Sequence, residues 1–281
     1  MIIIRLVESF MYTRKKGGIV MLADYHMHSH FSNDSQYDLE QLIQMAIRQG
    51  LQEICMTEHS DYGTMGDYVV DYDRYCETYL KLSEKYKNQI TIKFGCEFGV
   101  QKHTIQSYKN DFNKYPFDFI ILSNHQIDDK EFWTQEYQKG KTQAEYNQGY
   151  YEAIYDVIKH FDNYSVLGHL DMIKRYDEAG AYPDEQVKEI ITKILKHVIE
   201  HEKGIEVNTS CFRYGLDDLT PSIYILKLYK DLGGTIITIG SDTHEESHVG
   251  CKIQYVQDEL KKLGFENFCT FEKMEPIFHK L

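Results

Sequence analysis

The sequence predicts an α/β chain folded as a closed parallel βα barrel of seven or eight strands, with a metal site at the C-terminal ends of those strands. Three observations lead there. From Met21 onward short apolar runs alternate with amphipathic stretches, the pattern of repeated βα units. Histidines and carboxylates follow those runs at His26, His28, His59, Glu97, His125, His169, Asp242 and His244. In a closed barrel such ends converge on one face, whereas an open doubly wound sheet gathers only those near its switch point.

The strand-like runs, in order, are Leu22–Tyr25, Glu53–Thr57, Thr91–Glu97, Phe117–Ser123, Ser165–His169, Gly204–Asn208 and Thr235–Gly240, seven in all. Between the first two, Asp38 caps a helix whose Leu39, Leu42, Ile43 and Ala46 recur at helical spacing until Gly50 ends it. One long helix is expected over Tyr137 to Phe161. Pro183 and Asp184 open another, with Val187, Ile190, Ile191, Ile194, Leu195, Val198 and Ile199 on one face and Gly204 as its stop. Thr220 and Pro221 start a further helix that ends at Gly233-Gly234. A helix at about Tyr255–Leu263 precedes a last strand-like piece, Phe268–Phe271.

With 281 residues and 42% hydrophobic content, one compact domain over residues 21–281 is the simplest arrangement. Residues 1–20 are expected to be an extension outside the fold. Their apolar start, MIIIRLV, is too short to span a bilayer and its charge order is wrong for a secretory signal. Met21 begins a strand directly, so starts at Met1 and at Met21 both stay open. A net charge of −13 opposes a surface that follows a phosphate backbone. A small, locally recognised substrate is therefore expected, with neither nucleic acid nor membrane as a partner. Cys55, Cys76, Cys96, Cys211, Cys251 and Cys269 contain no C-x-x-C pair, which fits a reducing, cytoplasmic location.

The chemistry rests on residue types and their spacing. In His26-Met27-His28 the strand period of two turns both imidazoles to one face, and Asp242-Thr243-His244 repeats that geometry near the other end of the chain. Asp34 follows on the loop Phe31-Ser32-Asn33-Asp34. Glu97 sits in Phe94-Gly95-Cys96-Glu97-Phe98-Gly99, an apolar setting where an unpaired charge is costly, so it is expected to bridge two ions. Imidazole nitrogen and carboxylate oxygen are the usual ligands of catalytic divalent transition metals. Each residue alone has a plainer explanation: a solvated pair at His26 and His28, a strand end at His59, a core histidine at His125 or His169. Their joint occurrence argues against coincidence. His30, His103, His160, His197, His201, His248 and His279 are expected to be surface or structural residues. Three divalent ions, one bridging hydroxide and the carboxylates Asp34, Glu97 and Asp242 leave about two net positive charges, complementary to a phosphate dianion.

The set Asp24-Tyr25-His26-Met27-His28-Ser29, Thr57-Glu58-His59, Gly95-Cys96-Glu97, Asn124-His125, Gly168-His169-Leu170-Asp171 and Gly240-Ser241-Asp242-Thr243-His244 resembles the polymerase and histidinol phosphatase (PHP) superfamily. The stretch Gly168 to Tyr176, and Glu206-Val207-Asn208-Thr209-Ser210 with Arg213, are similar to its histidinol-phosphate phosphatase branch. The resemblance implies a distorted (β/α)7 barrel of the PHP type and a site for three divalent ions, usually zinc, manganese or iron. It implies one ion on His26, His28, Glu97 and Asp242, a second on Glu97, His125 and His169, and a third on Asp34, His59 and His244. Some relatives carry histidine where this chain has Asp34, and a carboxylate there shifts preference toward harder ions such as manganese or iron.

The activity so implied is hydrolysis of L-histidinol phosphate, a step of histidine biosynthesis. Arg175 and Arg213 are the candidates for holding the phosphate, because a guanidinium fork pairs two phosphate oxygens. Asp242 and His244 are the candidates for passing a proton to the leaving group, and Asp171, Glu58 or Asp61 for meeting the imidazole and ammonium of the substrate. Competing readings are a PHP phosphoesterase for another small phosphate such as a nucleoside monophosphate, a nuclease trimming DNA ends, and a non-catalytic metal-binding domain.

Overall fold

The computed structural model describes residues 21–63 and 67–281; the extension expected at residues 1–20 lies outside the described residues. Seven barrel strands follow one another in chain order: β1 (Ala23–Asp24), β2 (Glu53–Asp61), β3 (Thr91–Gly99), β4 (Phe119–Ser123), β5 (Val166–Leu167), β6 (Gly204–Asn208) and β7 (Ile237–Gly240). All neighbouring pairs run parallel. β1 also meets β7, since Tyr25 N donates to Ile239 O at 3.0 Å and His28 N to Thr243 O at 2.8 Å. The result is a distorted (β/α)7 barrel, in which β1 and β5 keep only two residues each in the ladder. Strands covered on both faces read as continuous apolar runs, which is why Cys55, Met56, Phe94, Phe98, Ile120 and Ile121 are buried along their lengths.

Local sequence sets the helix ends. In α1 (Leu39–Arg48) Asp38 accepts from Glu40 N at 2.8 Å and Gln41 completes a capping box, while Leu39, Leu42, Ile43 and Ala46 face the barrel. α2 (Tyr72–Tyr86), with a tyrosine-rich stripe, and α3 (Ile105–Phe112), which buries the single tyrosine Tyr108, are not marked as helices by the sequence pattern. Their phenols dock onto strand carbonyls: Tyr75 Oη lies 2.9 Å from Met56 O and 3.1 Å from Gly95 O. Tyr108 Oη lies 2.9 Å from Ser60 O and 2.8 Å from Gly99 O.

The long helix expected over Tyr137 to Phe161 is shorter, α4 (Gln143–Ile158), because Thr142 and Glu145 form a capping box that starts the helix there. A 3₁₀ turn at Asp184–Val187 leads into α5 (Lys188–Glu200). The helix expected from Thr220 begins later, as α6 (Ile223–Asp231), where Ser222 Oγ accepts from Ile225 N at 3.3 Å. α7 (Ile253–Lys262) completes the helical layer.

The last strand-like piece is not a barrel strand. It is β8 (Asn267–Glu272), which pairs antiparallel with β9 (Glu275–Lys280), a strand the sequence reading missed. Phe271 N donates to Tyr25 Oη at 2.8 Å and the Phe271 ring packs against Phe119, tilted by 47° with centroids 5.0 Å apart. This hairpin covers the end where the strands begin, leaving the opposite end to the cavity described next.

Candidate metal centre

Glu97 on β3 is the hub. Its side chain is fully buried, with Oε2 at 3.1 Å from His26 Nε2, 3.4 Å from His28 Nε2 and 3.0 Å from His59 Nδ1. Oε1 lies 2.9 Å from His169 Nε2 and 3.2 Å from His125 Nε2, and accepts from Ser123 Oγ at 2.5 Å. His26 and His28 leave the end of β1, His59 lies on β2, and His125 and His169 each fall two residues past β4 and β5. Six of the seven strands, with β7 supplying Asp242 and His244, thus deliver ligand atoms from segments more than two hundred residues apart in sequence, as expected at the C-terminal face of a barrel.

Asp242, two residues past β7, places Oδ1 at 3.6 Å from His26 Nε2 and 3.7 Å from His28 Nε2. On the outer side Asp34 Oδ2 lies 3.1 Å from His244 Nε2 and 3.4 Å from His59 Nε2. All nine expected side chains therefore meet in one place. Donor atoms fall within mutual reach in four overlapping sets: His28, His59 and His244; His26, His169 and Asp242; His26, His28 and Glu97; His59, Glu97 and His125. These sets cut across the three-way division implied by the resemblance. The reason is that His28 Nε2 sits between the carboxylates, with its ring stacked 4.0 Å from His59 and 4.3 Å from His244.

The donor set fits divalent ions on a direct observation. His26 Nε2, His28 Nε2, His59 Nδ1 and Glu97 Oε2 are buried and without a hydrogen-bond partner, although their neighbours are little more than 3 Å away. Bare buried lone pairs cost about 1–3 kcal/mol apiece, and ligation removes that penalty. The electrostatics agree. Burial pushes the Glu97 carboxyl up, but His26, His125 and His59 outweigh it and hold the group well below the usual carboxylate range. Asp242 is likewise held down, against burial, by His26, Arg175 and His244. Burial, followed by His59 and His244, pushes the His28 imidazole well below its ordinary value, favouring the neutral ring a metal needs.

A cavity of about 490 Å³ opens over these groups, lined by Asp34, His59, Glu97, His125, His169, Asp242 and His244 together with Asp61, Tyr68, Glu131, Trp133, Arg175, Tyr176 and Tyr214. Arg175 is almost fully buried beside it. Its Nη2 donates to Ser210 Oγ at 2.5 Å and lies 3.3 Å from Asp242 Oδ2, while its guanidinium carbon sits 4.7 Å from the Tyr214 ring centroid.

Arg213 differs from expectation. Its Nη1 and Nη2 donate to the carbonyls of Ser241 and Asp242 at 2.8 and 2.7 Å, and it is not among the residues lining the cavity. It braces the β7 loop from behind. Asp171 and Glu58 are also absent from the cavity wall. Asp171 accepts from Lys174 Nζ at 2.8 Å and Ser222 N at 3.0 Å. Glu58 accepts from Ser29 N at 2.9 Å, Ser29 Oγ at 2.6 Å and Ser32 Oγ at 2.6 Å. Asp61 does line the cavity, with Oδ1 at 2.7 Å from His125 Nδ1.

Sequence reasoning missed the buried carboxylates behind the site. Asp24 accepts from Ser241 N at 2.8 Å and Gly250 N at 2.9 Å, and Glu206 lies 2.6 Å from His26 Nδ1. Burial of Asp24 and Glu206 in strand-end motifs was the available signal. Asp61 and Glu206 add two formal negative charges to those of Asp34, Glu97 and Asp242, and Arg175 adds one positive charge beside the cavity.

Barrel, hub carboxylate and histidine ring define a PHP domain, and the PHP domain family matches residues 24–210. The chain belongs to the PHP family. It is 36% identical over 265 residues to the histidinol-phosphatase of Lactococcus lactis subsp. lactis (strain IL1403), covering 90% of this chain and 95% of that relative. It is 30% identical over 249 residues to the "Probable histidinol-phosphatase" of Thermotoga maritima, covering 87% of this chain and 94% of that relative. The crystal structure of the Lactococcus lactis histidinol phosphate phosphatase complexed with zinc, L-histidinol and phosphate superposes with a TM-score of 0.83 at 34% identity, covering 92% of this chain and 100% of that one. Within the family this chain falls in the histidinol-phosphatase branch.

Proposed function

We propose that this chain is a metal-dependent phosphomonoesterase that hydrolyses L-histidinol phosphate to L-histidinol and phosphate. The observation that carries the proposal is one cavity joining the nine-donor cluster to an arginine whose side chain is almost fully buried. Likeness to histidinol-phosphatases over nine-tenths of the chain supports the substrate. Residues 21–281 act as a single barrel unit in this proposal. The free cysteines and the biosynthetic role suit a cytoplasmic enzyme without nucleic-acid or membrane partners. Among the described residues no helix is long and apolar enough to cross a membrane.

Three divalent ions, of zinc, manganese or iron, are held by His26, His28, Asp34, His59, Glu97, His125, His169, Asp242 and His244. Such ions, when bound, supply a nucleophile from water near neutral pH and draw charge from the phosphoryl oxygens. Arg175 holds the phosphate and keeps its own charge at any working pH. Asp242 and His244 are assigned to proton delivery to the leaving alkoxide. Substrate choice follows from the rest of the wall. Asp61 and Glu131 offer carboxylates to an ammonium, and Trp133, Tyr176 and Tyr214 offer ring faces to an imidazole.

The test is phosphate release from histidinol phosphate, a nucleoside monophosphate and a chromogenic phosphate ester by metal-quantified protein. Histidinol phosphate should give the highest kcat/KM; a nucleotide turned over faster would reassign the enzyme to another small phosphate.

A further inference from the structure

We infer that Glu206, on β6, is a positioning residue that locks two metal-facing histidines from different strands into one unit; the inference rests on the metal centre proposed above. Glu206 is fully buried, and it is not part of the cavity wall. Its two oxygens do different jobs. Oε1 lies 2.6 Å from His26 Nδ1. Oε2 accepts from the backbone N of His169 at 2.8 Å and from Asn208 Nδ2 at 3.1 Å.

Glu206 thus stands among three nitrogens, accepting from two N–H groups through Oε2 and facing His26 Nδ1 through Oε1, an arrangement in which His26 Nδ1 is the donor. That leaves His26 Nε2 bare, facing Glu97 Oε2 at 3.1 Å and Asp242 Oδ1 at 3.6 Å. At the same time Oε2 anchors His169 where its backbone takes φ +20°, an unusual value for a residue with a side chain. Its imidazole then meets Glu97 Oε1 at 2.9 Å. One carboxylate thus sets the tautomer of a β1 histidine and the backbone of a β5 histidine.

The packing leaves no slack. A Cβ built on Gly240 would fall 2.3 Å from Glu206 Oε1 and 2.3 Å from His26 Cβ, so only glycine lets the β7 backbone pass this contact. The network also runs on to the phosphate side. Asn208 Oδ1 accepts from Ser210 Oγ at 2.5 Å, and Ser210 Oγ accepts from Arg175 Nη2 at 2.5 Å. A carboxylate behind a ligating imidazole is typically worth about 10–100-fold in metal affinity.

The experiment compares chelator-stripped wild type and Glu206→Gln, each titrated with Mn²⁺, reading bound metal and histidinol phosphate hydrolysis. A glutamine cannot accept from both His26 Nδ1 and His169 N, since its amide end only donates. The titration midpoint of the variant should move about 10–100-fold to higher Mn²⁺. kcat should recover at saturating metal while KM stays within about threefold, because Arg175 remains in place. An unshifted midpoint overturns the role of Glu206 alone, whereas a wild type that binds no metal overturns the metal centre itself. If the variant does not fold, nitrogen-15 histidine spectra of wild-type protein decide. A proton that stays on His26 Nδ1 after metal loading supports the inference, and an unprotonated Nδ1 overturns it.

Discussion

Arg175 Nη2 lies 3.3 Å from Asp242 Oδ2, so the cation assigned to the phosphate is held in place by a carboxylate assigned to the metals. The salt bridge is buried on both sides, and Arg175 Nε has no hydrogen-bond partner within the protein. A phosphate oxygen would satisfy it.

Arg175→Ala should therefore raise KM for histidinol phosphate about 10–100-fold, matching the roughly 1.5–3 kcal/mol of a hydrogen bond to a charged group. Bound metal should stay at the wild-type level. Steady-state kinetics on metal-quantified protein checks both parts. Unchanged kinetics together with metal loss would remove Arg175 from the substrate and make it a support for the centre.

His26→Ala and Asp242→Asn each take away a donor that belongs to more than one of the overlapping sets or faces two histidines. Both should lose metal and turnover together. Elemental analysis after gel filtration, paired with a phosphate-release assay, makes the comparison. A metal-free variant with full activity would contradict the site.

The loss of stability above neutral pH should vanish on metal loading. In the metal-free protein burial pushes His125 down, but Asp61 and Glu97 outweigh it and carry its pKa up to about 10. His26, His59 and His244 are raised in the same sense by facing carboxylates. A raised histidine adds stability that is complete below its unfolded pKa of about 6.5 and disappears as pH climbs through the folded value. His28 and His169 are lowered, so they change stability only below about pH 6.5. Metal-free protein should thus lose stability from about pH 6.5 to 10, while the loaded form, which keeps its rings neutral, should gain as pH rises to about 6.5 and hold level above it. Thermal unfolding with and without chelator measures the two profiles; a loaded form that loses stability above pH 6.5 as steeply as the metal-free form would contradict the ligand roles.

Gly99 ends β3 beneath the His125 contact. A Cβ there would fall 1.7 Å from Asp61 Oδ1 and 2.9 Å from His125 Nδ1. Gly99→Ala should force Asp61 off His125, destabilise the protein by about 1–3 kcal/mol and lower kcat/KM at limiting metal. Denaturant unfolding and metal-dependent kinetics should show both effects, and a variant indistinguishable from wild type would mean that the Asp61–His125 pair is dispensable.

Much of this architecture was legible because its signals are local. Each donor follows an apolar run, and the paired motifs at His26-Met27-His28 and Asp242-Thr243-His244 carry strand period in three residues. The family resemblance added the seven-strand count. What was illegible depends on partners far away in sequence. Asp24 is explained by amides at Ser241 and Gly250, and Glu206 by His26 and His169; no window of sequence contains either pair. Arg213 looked like a phosphate ligand by position, yet its guanidinium is spent on two carbonyls. The helices α2 and α3 escaped because tyrosine supplies their apolar faces, a residue whose phenol also suits strands and loops. The start of α4 is legible in the capping box Thr142-x-x-Glu145, a signal finer than the apolar pattern over Tyr137 to Phe161.

The central claim is that histidinol phosphate turns over only on ions held by this ring of side chains. The direct test is to add metal stepwise to chelator-stripped protein and follow bound ions and phosphate release on the same sample. Release should be absent from the stripped protein and should rise with occupancy until about three ions are bound per chain. Turnover of histidinol phosphate by protein that holds no metal would contradict it.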